Sequence, residues 1–241
     1  RQYVGMIPPW EWPDENLYAA FGPEGLGYIP EDPSYLANYV NGNADGINAA
    51  INAGAMTIFS TAQGLQTGWS NPAYFVQDLS GLQDAPPSTM ISICSFNADF
   101  ANGNNDCLAE AYLHHQYGGV GAIGATEIIY SMGSGWFTVG LFDGLWNDFY
   151  PPYPSSVLEF TYPAAALASA KYFLQTYPGI NQNTKYTFYN LFHHLGEPYT
   201  VLYDDIPQDL TVEHNDNLLP GQSSFQVLAD SGARVALCMN N

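Results

Sequence analysis

The chain has 241 residues, 46% hydrophobic and 15% aromatic, enough to bury one large core and too apolar for global disorder. Only four basic residues stand against 23 acidic ones, a formal net charge of −19. That balance excludes a nucleic-acid partner and disfavours anionic membrane surfaces, since both are bound through Lys and Arg.

No run of about 18 apolar residues is present, so no membrane span is expected. No basic-then-apolar leader follows Arg1, and with no Met at the start the chain reads as a processed or excised piece. The excess of Asn, Gly, Tyr and Asp over Lys has an extracellular cast. Cys94, Cys107 and Cys238 are three, so at most one disulfide can close within the chain, and buried free thiols are the simpler expectation.

Residues 1–42 are rich in Pro, Gly and aromatics and read as an irregular segment. Helical spacing follows at Ile47, Ala50 and Ile51, with Gly54 placed as a left-handed stop. A short apolar run, Met56 to Ser60, reads as a buried strand. A polar loop (TAQGLQTGWSNP) and a helical turn around Phe75–Leu82 come next. A second buried strand, Met90 to Phe96, leads into the loop NADFANGNND. A helix from Cys107, stopped at Gly118 and Gly119, then precedes a third strand, Val120–Ala125. This alternation predicts βα units on a parallel sheet.

Beyond Gly133 the pattern reads as aromatic loops ending in PPYPSS, followed by helices over Pro163–Tyr177 and Tyr186–Leu195. The segments LTVEH, SFQVLA and RVALCM predict a small β appendage. In an open parallel sheet, reactive side chains sit on loops at the carboxyl ends of the strands. The loops after Phe59 and after Cys94 are therefore the places to look for chemistry.

Those loops carry a recognisable order. INAGAMTIFSTAQGLQTGWSNP resembles a helix, Gly-Ala, a strand, then His-Gly and a downstream Trp, as in gingipain-type cysteine peptidases. ISICSFNADF, then CLAEAYL and GVGAIGAT, is similar to that family's strand, Cys nucleophile and small-x-Phe, with the next helix and strand behind them. LFHHLGEPYTVLY resembles its Leu-Gly-Asp-Pro segment, so the matches keep their order over residues 44–206. The resemblance implies a caspase-like αβα sandwich with a mostly parallel sheet over residues 43–206. It also implies that residues 207–241 are a β appendage similar to the start of an immunoglobulin-like domain.

In that family a Cys attacks the carbonyl, a His moves protons and backbone N–H groups hold the oxyanion. The resemblance places the His at Gln63, the Gly of the oxyanion loop at Gly64, the Trp at Trp69 and the Cys at Ser95, with Cys94 one residue earlier. A Gln amide does not titrate near neutral pH, and a Ser hydroxyl is a poor nucleophile without a base. Loss of one member of such a set costs roughly 10⁴–10⁶ in rate. On an alternating strand Cys94 and Ser95 face opposite sides, which sends Cys94 to the core.

Three functional readings follow: an inactive peptidase fold kept for binding or assembly, an active cysteine-type endopeptidase using Cys94 or Ser95 with another base, and a structural subunit of an extracellular assembly. Among the histidines, His114, His115, His193 and His194 are expected on helices and His214 in the appendage. Asp99, Asn104 and Asp106 offer oxygen atoms of the kind Ca²⁺ prefers, against the plainer reading of a polar turn. The aromatic set Trp10, Trp12, Trp136, Phe137, Phe142, Trp146 and Tyr150 suits a peptide or glycan groove, against the plainer reading of core packing. The expected partner is a protein or peptide. Residues 1–42 supply little to start the sheet, so another chain is expected to complete it, or a second copy to form a homo-oligomer. Secretion or cell-surface attachment is implied by the resemblance.

Overall fold

The structure is a computed structural model that describes residues 43–61, 63–70, 72–103, 105–145, 162–202, 210–215, 217, 220–233 and 235–236. The expectations at Trp10, Trp12, Asn104, Trp146, Tyr150 and Cys238, and the irregular reading of 1–42, lie outside these residues. The chain divides into two compact units, Arg1–Asp204 and Asp205–Asn241.

The first unit is built on a four-stranded sheet in which β1 (Thr57–Ser60), β5 (Ser88–Ser92) and β6 (Gly119–Ala125) run parallel. Strand β7 (Phe192–Gly196) closes the order β1-β5-β6-β7 antiparallel to β6. All five residues of β5 are buried, as expected of a central strand covered on both faces. Successive residues serve opposite layers: Met90 and Ala122 pack into one core, Ile91 and Ile123 into the other.

The first layer holds α1 (Ala44–Asn52), α2 (Leu108–His114) and a small antiparallel sheet. In α1 the Asn43 side chain accepts from Gly46 N, and Gly54 takes φ +99 just past the end, the left-handed stop that a residue without Cβ accepts readily. The small sheet, β2 (Gly64–Leu65), β3 (Gly68–Ser70) and β4 (Ala73–Phe75), occupies what the sequence presents as a polar loop. Its strands are too short for alternation to register, and Trp69 and Tyr74, stacked at 5.4 Å, anchor it to the core.

The opposite layer holds α3 (Ser131–Leu145), α4 (Pro163–Thr176) and α5 (Gln182–Leu191). Helix α3 corrects the expectation of aromatic loops past Gly133. Phe137, Val139, Leu141, Phe142 and Leu145 are all buried, with Thr138 and Asp143 beside them, so the helix is enclosed on most sides and shows no amphipathic period. Phe137 and Phe142, assigned above to a groove, belong to this core, whereas Trp136 is half-buried and stacks on Tyr177 at 4.0 Å.

The helix expected over Tyr186–Leu195 is also corrected: α5 ends at Leu191 and the chain turns directly into β7. Pairing with β6, in the register Ala125↔Phe192 to Gly121↔Gly196, overrides local helical preference. The second expected strand, Met90 to Phe96, starts and stops two to four residues earlier, as β5. The second unit shows an antiparallel pair, β8 (Val212–His214) and β9 (Val227–Ala229). Most of the third expected segment there lies outside the described residues.

Candidate functional site

Parallel pairing aligns the carboxyl ends of β1 and β5, with Ser60 opposite Ser92. The loops that leave them carry Gln63–Gly64 and Cys94–Asn97, so the topology brings the two predicted loops together. The contact is intimate at Gly64: a Cβ there would lie 2.1 Å from the Ser95 carbonyl oxygen, 2.7 Å from Ser95 N and 2.8 Å from Cys94 Cβ. Only glycine fits between those atoms. The frame of the site is thus backbone packed on backbone.

Asn97, which sequence reading passes over, holds the frame. It is fully buried, and its Oδ1 accepts from Ser92 Oγ at 2.5 Å and from Trp69 Nε1 at 2.7 Å. Its amide nitrogen donates to the carbonyls of Leu65 and Gly68, and its own carbonyl accepts from Ala109 N at 3.0 Å. One side chain therefore ties the β2–β3 turn to the end of β5, and its backbone ties both to α2. Between Ser95 and Asn97, Phe96 takes φ +64, a left-handed conformation that costs a bulky residue about 1–2 kcal/mol.

Within this frame the reactive positions are placed as follows. Gln63 is exposed, and its carbonyl accepts from Ser70 N and Ser70 Oγ. The Ser95 hydroxyl, half-buried, accepts from Ile129 N at 3.1 Å. Beside it Phe96 N donates to Glu127 O and Ala98 N to Ala125 O, so the loop after β6 is latched onto the turn after β5. Cys94 is only 1% exposed and its thiol lies 3.6 Å from both the hydroxyl and the carbonyl oxygen of Ser60, on the α1–α2 side of the sheet. A buried sulfur inside the core is out of reach of a substrate carbonyl.

The five histidines are placed as follows. His114 pairs with Asp106 at 2.8 Å, His115 accepts from Tyr117 N, and His214 lies against its neighbour's carbonyl. His193 and His194 stand on β7, where His193 meets Phe100 edge to face at 5.6 Å. Burial lowers the pKa of His193, with Lys171 adding to it and the Asn190 carbonyl opposing. Burial likewise lowers that of His194, against Glu197. Cys107 caps α2 from a buried position, and burial pushes its thiol up to about 12, which makes it an inert cap.

Of the oxygen-rich loop, Asp99 accepts from the Asn102 amide and Asp106 is engaged by His114. Among the described residues no group of three His, Cys, Asp or Glu side chains is placed to hold a metal. No helix of the described residues is long and apolar enough to cross a membrane.

The sequence model of peptidase family C25 matches residues 7–203, most of the chain. The chain belongs to this family. Among solved structures, the C25 fold seen here is similar to the crystal structure of the Arg specific cysteine proteinase gingipain R (RgpB). The TM-score is 0.60 at 17% identity, over 78% of this chain and 43% of that one. A complex of Porphyromonas gingivalis RgpB pro- and mature domains gives 0.59 at 17% identity, over 78% and 44%.

A third match, described simply as the structure of a protease, gives 0.56 at 17% identity, over 76% and 43%. The chain thus spans less than half the length of the solved structures it resembles, and at this identity the likeness is one of fold. It is the gingipain, caspase-like fold expected from the sequence. No curated protein matches the sequence significantly.

Proposed function

We propose that this C25 domain is catalytically silent and that its peptidase scaffold serves to bind a protein or peptide, in an extracellular or cell-surface setting. The observation that carries the reading is the state of position 95. Its side chain is a hydroxyl that accepts the Ile129 amide, and across the Gly64 contact stands Gln63, which cannot take a proton. Without a base the hydroxyl stays protonated and weakly nucleophilic. The thiol nearest the site, Cys94, is buried against Ser60.

A protein ligand is further supported by the similar RgpB structure, which is a complex of pro- and mature domains. The test is covalent labelling of the whole chain by a thiol-reactive peptide electrophile, read by mass spectrometry at Cys94 and Ser95. The wild-type chain is expected to stay unlabelled, the double variant Gln63→His/Ser95→Cys to label at position 95, and the single Gln63→His to remain silent. Rapid labelling of wild-type Cys94, well above the rate of free cysteine, would overturn the reading.

A further inference from the structure

Across the four-stranded sheet the register aligns Thr57 with Thr89, Thr89 with Gly121 and Gly121 with Gly196. Residues two apart on a strand share a face, so the next row on that face holds Phe59, Ile91, Ile123 and His194. Phe59, Ile91 and Ile123 belong to the core under α3, α4 and α5. A row of small side chains thus lies beside a row of large ones. It crosses the amino ends of the parallel strands, away from the loops of Gln63 and Ser95.

Two buried polar atoms border this row. Thr89 is 0% exposed, and neither its Oγ1 nor His194 Nε2 has a hydrogen-bond partner among the described residues. From the position a Cβ on Gly121 would take, Nε2 lies 3.0 Å away and Thr89 Oγ1 3.6 Å. Thr89 comes from the residue paired with Gly121 on β5, and His194 along the diagonal from β7, a span that a long side chain covers. Both atoms therefore border one small space over the Gly121 backbone, where a larger residue would intrude.

We infer that this space binds one internal water molecule, which bridges Thr89 Oγ1 and His194 Nε2 over Gly121. A buried hydroxyl and a buried ring nitrogen are costly to leave unpaired, and internal water is the usual remedy. The chemistry of the two atoms selects the occupant. A hydroxyl donates or accepts, and a neutral imidazole nitrogen does one or the other, so a molecule with two donors and two acceptors matches both. A metal ion needs further ligands, and among the described residues no group of three His, Cys, Asp or Glu side chains is placed to supply them. An apolar molecule would leave both atoms unmet. In this place the water links β5 to β7 across β6, and ties the antiparallel strand to the parallel ones by more than its own ladder.

A crystal structure of the whole chain, at a resolution that orders internal water, tests this. One water is expected within about 2.7–3.2 Å of both Thr89 Oγ1 and His194 Nε2. In solution, magnetic relaxation dispersion of the water oxygen counts long-lived internal waters. Thr89→Val is expected to show one fewer than wild type, and Thr89→Ser, which keeps the hydroxyl, the same number. The wild-type crystal structure decides the matter even where Thr89→Val does not fold. A direct hydrogen bond between Thr89 and His194 overturns the inference. So does a space without ordered water, or an equal count in Thr89→Val and wild type.

Discussion

A buried amide is stable only when its donors and acceptors are met inside the protein, and Asn97 meets them with Ser92, Trp69, Leu65 and Gly68. Replacing it by Leu, of similar volume, strands those carbonyls in the core at a cost of about 3 kcal/mol. Urea unfolding of Asn97→Leu is expected to show a loss of that order, with Asn102→Leu, at an exposed position, close to wild type. Nothing in the sequence separates Asn97 from Asn102, Asn104 and Asn105, because burial is decided by the β2–β3 turn that folds over it. That the loops bearing Gln63 and Ser95 would meet was legible for the opposite reason: both follow strands predicted to lie parallel in one sheet.

His194 makes a second prediction at this scale. Its Nε2 is buried, without a hydrogen-bond partner among the described residues, and lies 3.0 Å from where a Cβ on Gly121 would be. The folded state therefore favours the neutral ring, with a pKa below the unfolded value of about 6.5. The unfolded chain then binds more protons as pH falls through that value. Stability is complete above about pH 6.5 and declines on acidification. In His194→Gln the slope of unfolding free energy between pH 7 and 5 is expected to flatten, and an unchanged slope would contradict this assignment.

Elements obey the same logic on a larger span. Helix α3 escaped the sequence because amphipathic period is the signal for a helix with one wet side, and α3 has none. Its glycines misled further, since Gly inside a helix costs about 1 kcal/mol relative to Ala. The structure supplies the reason for keeping one of them: a Cβ at Gly140 would lie 2.5 Å from Phe173 Cβ on α4. Gly140→Ala is therefore expected to destabilise by about 1–3 kcal/mol through overpacking, against the helical trend. A rise in melting temperature would show that α3 and α4 can part to make room.

Strand β7 escaped for a related reason. Phe192 to Gly196 continues an apolar-polar pattern compatible with helix, and only the free edge of β6 makes it a strand. Where a stop or a cap is present, as at Gly54 and Cys107, the adjoining helix end could be read within a residue or two.

For the molecule as a whole, the order of βα units and the matching motifs sufficed to place the family and the fold. The tight approach of Gly64 to Ser95 was not legible, because it depends on parallel pairing between segments some thirty residues apart.

At Gly64 the missing side chain lets two strand ends be joined main chain to main chain, with Asn97 as the rivet. The spacing of positions 63 and 95 is therefore a property of the frame, owed to neither of the residues that occupy them. Such positions behave as interchangeable fittings. A substitution at either place is therefore expected to leave the distance between the two loops as it stands.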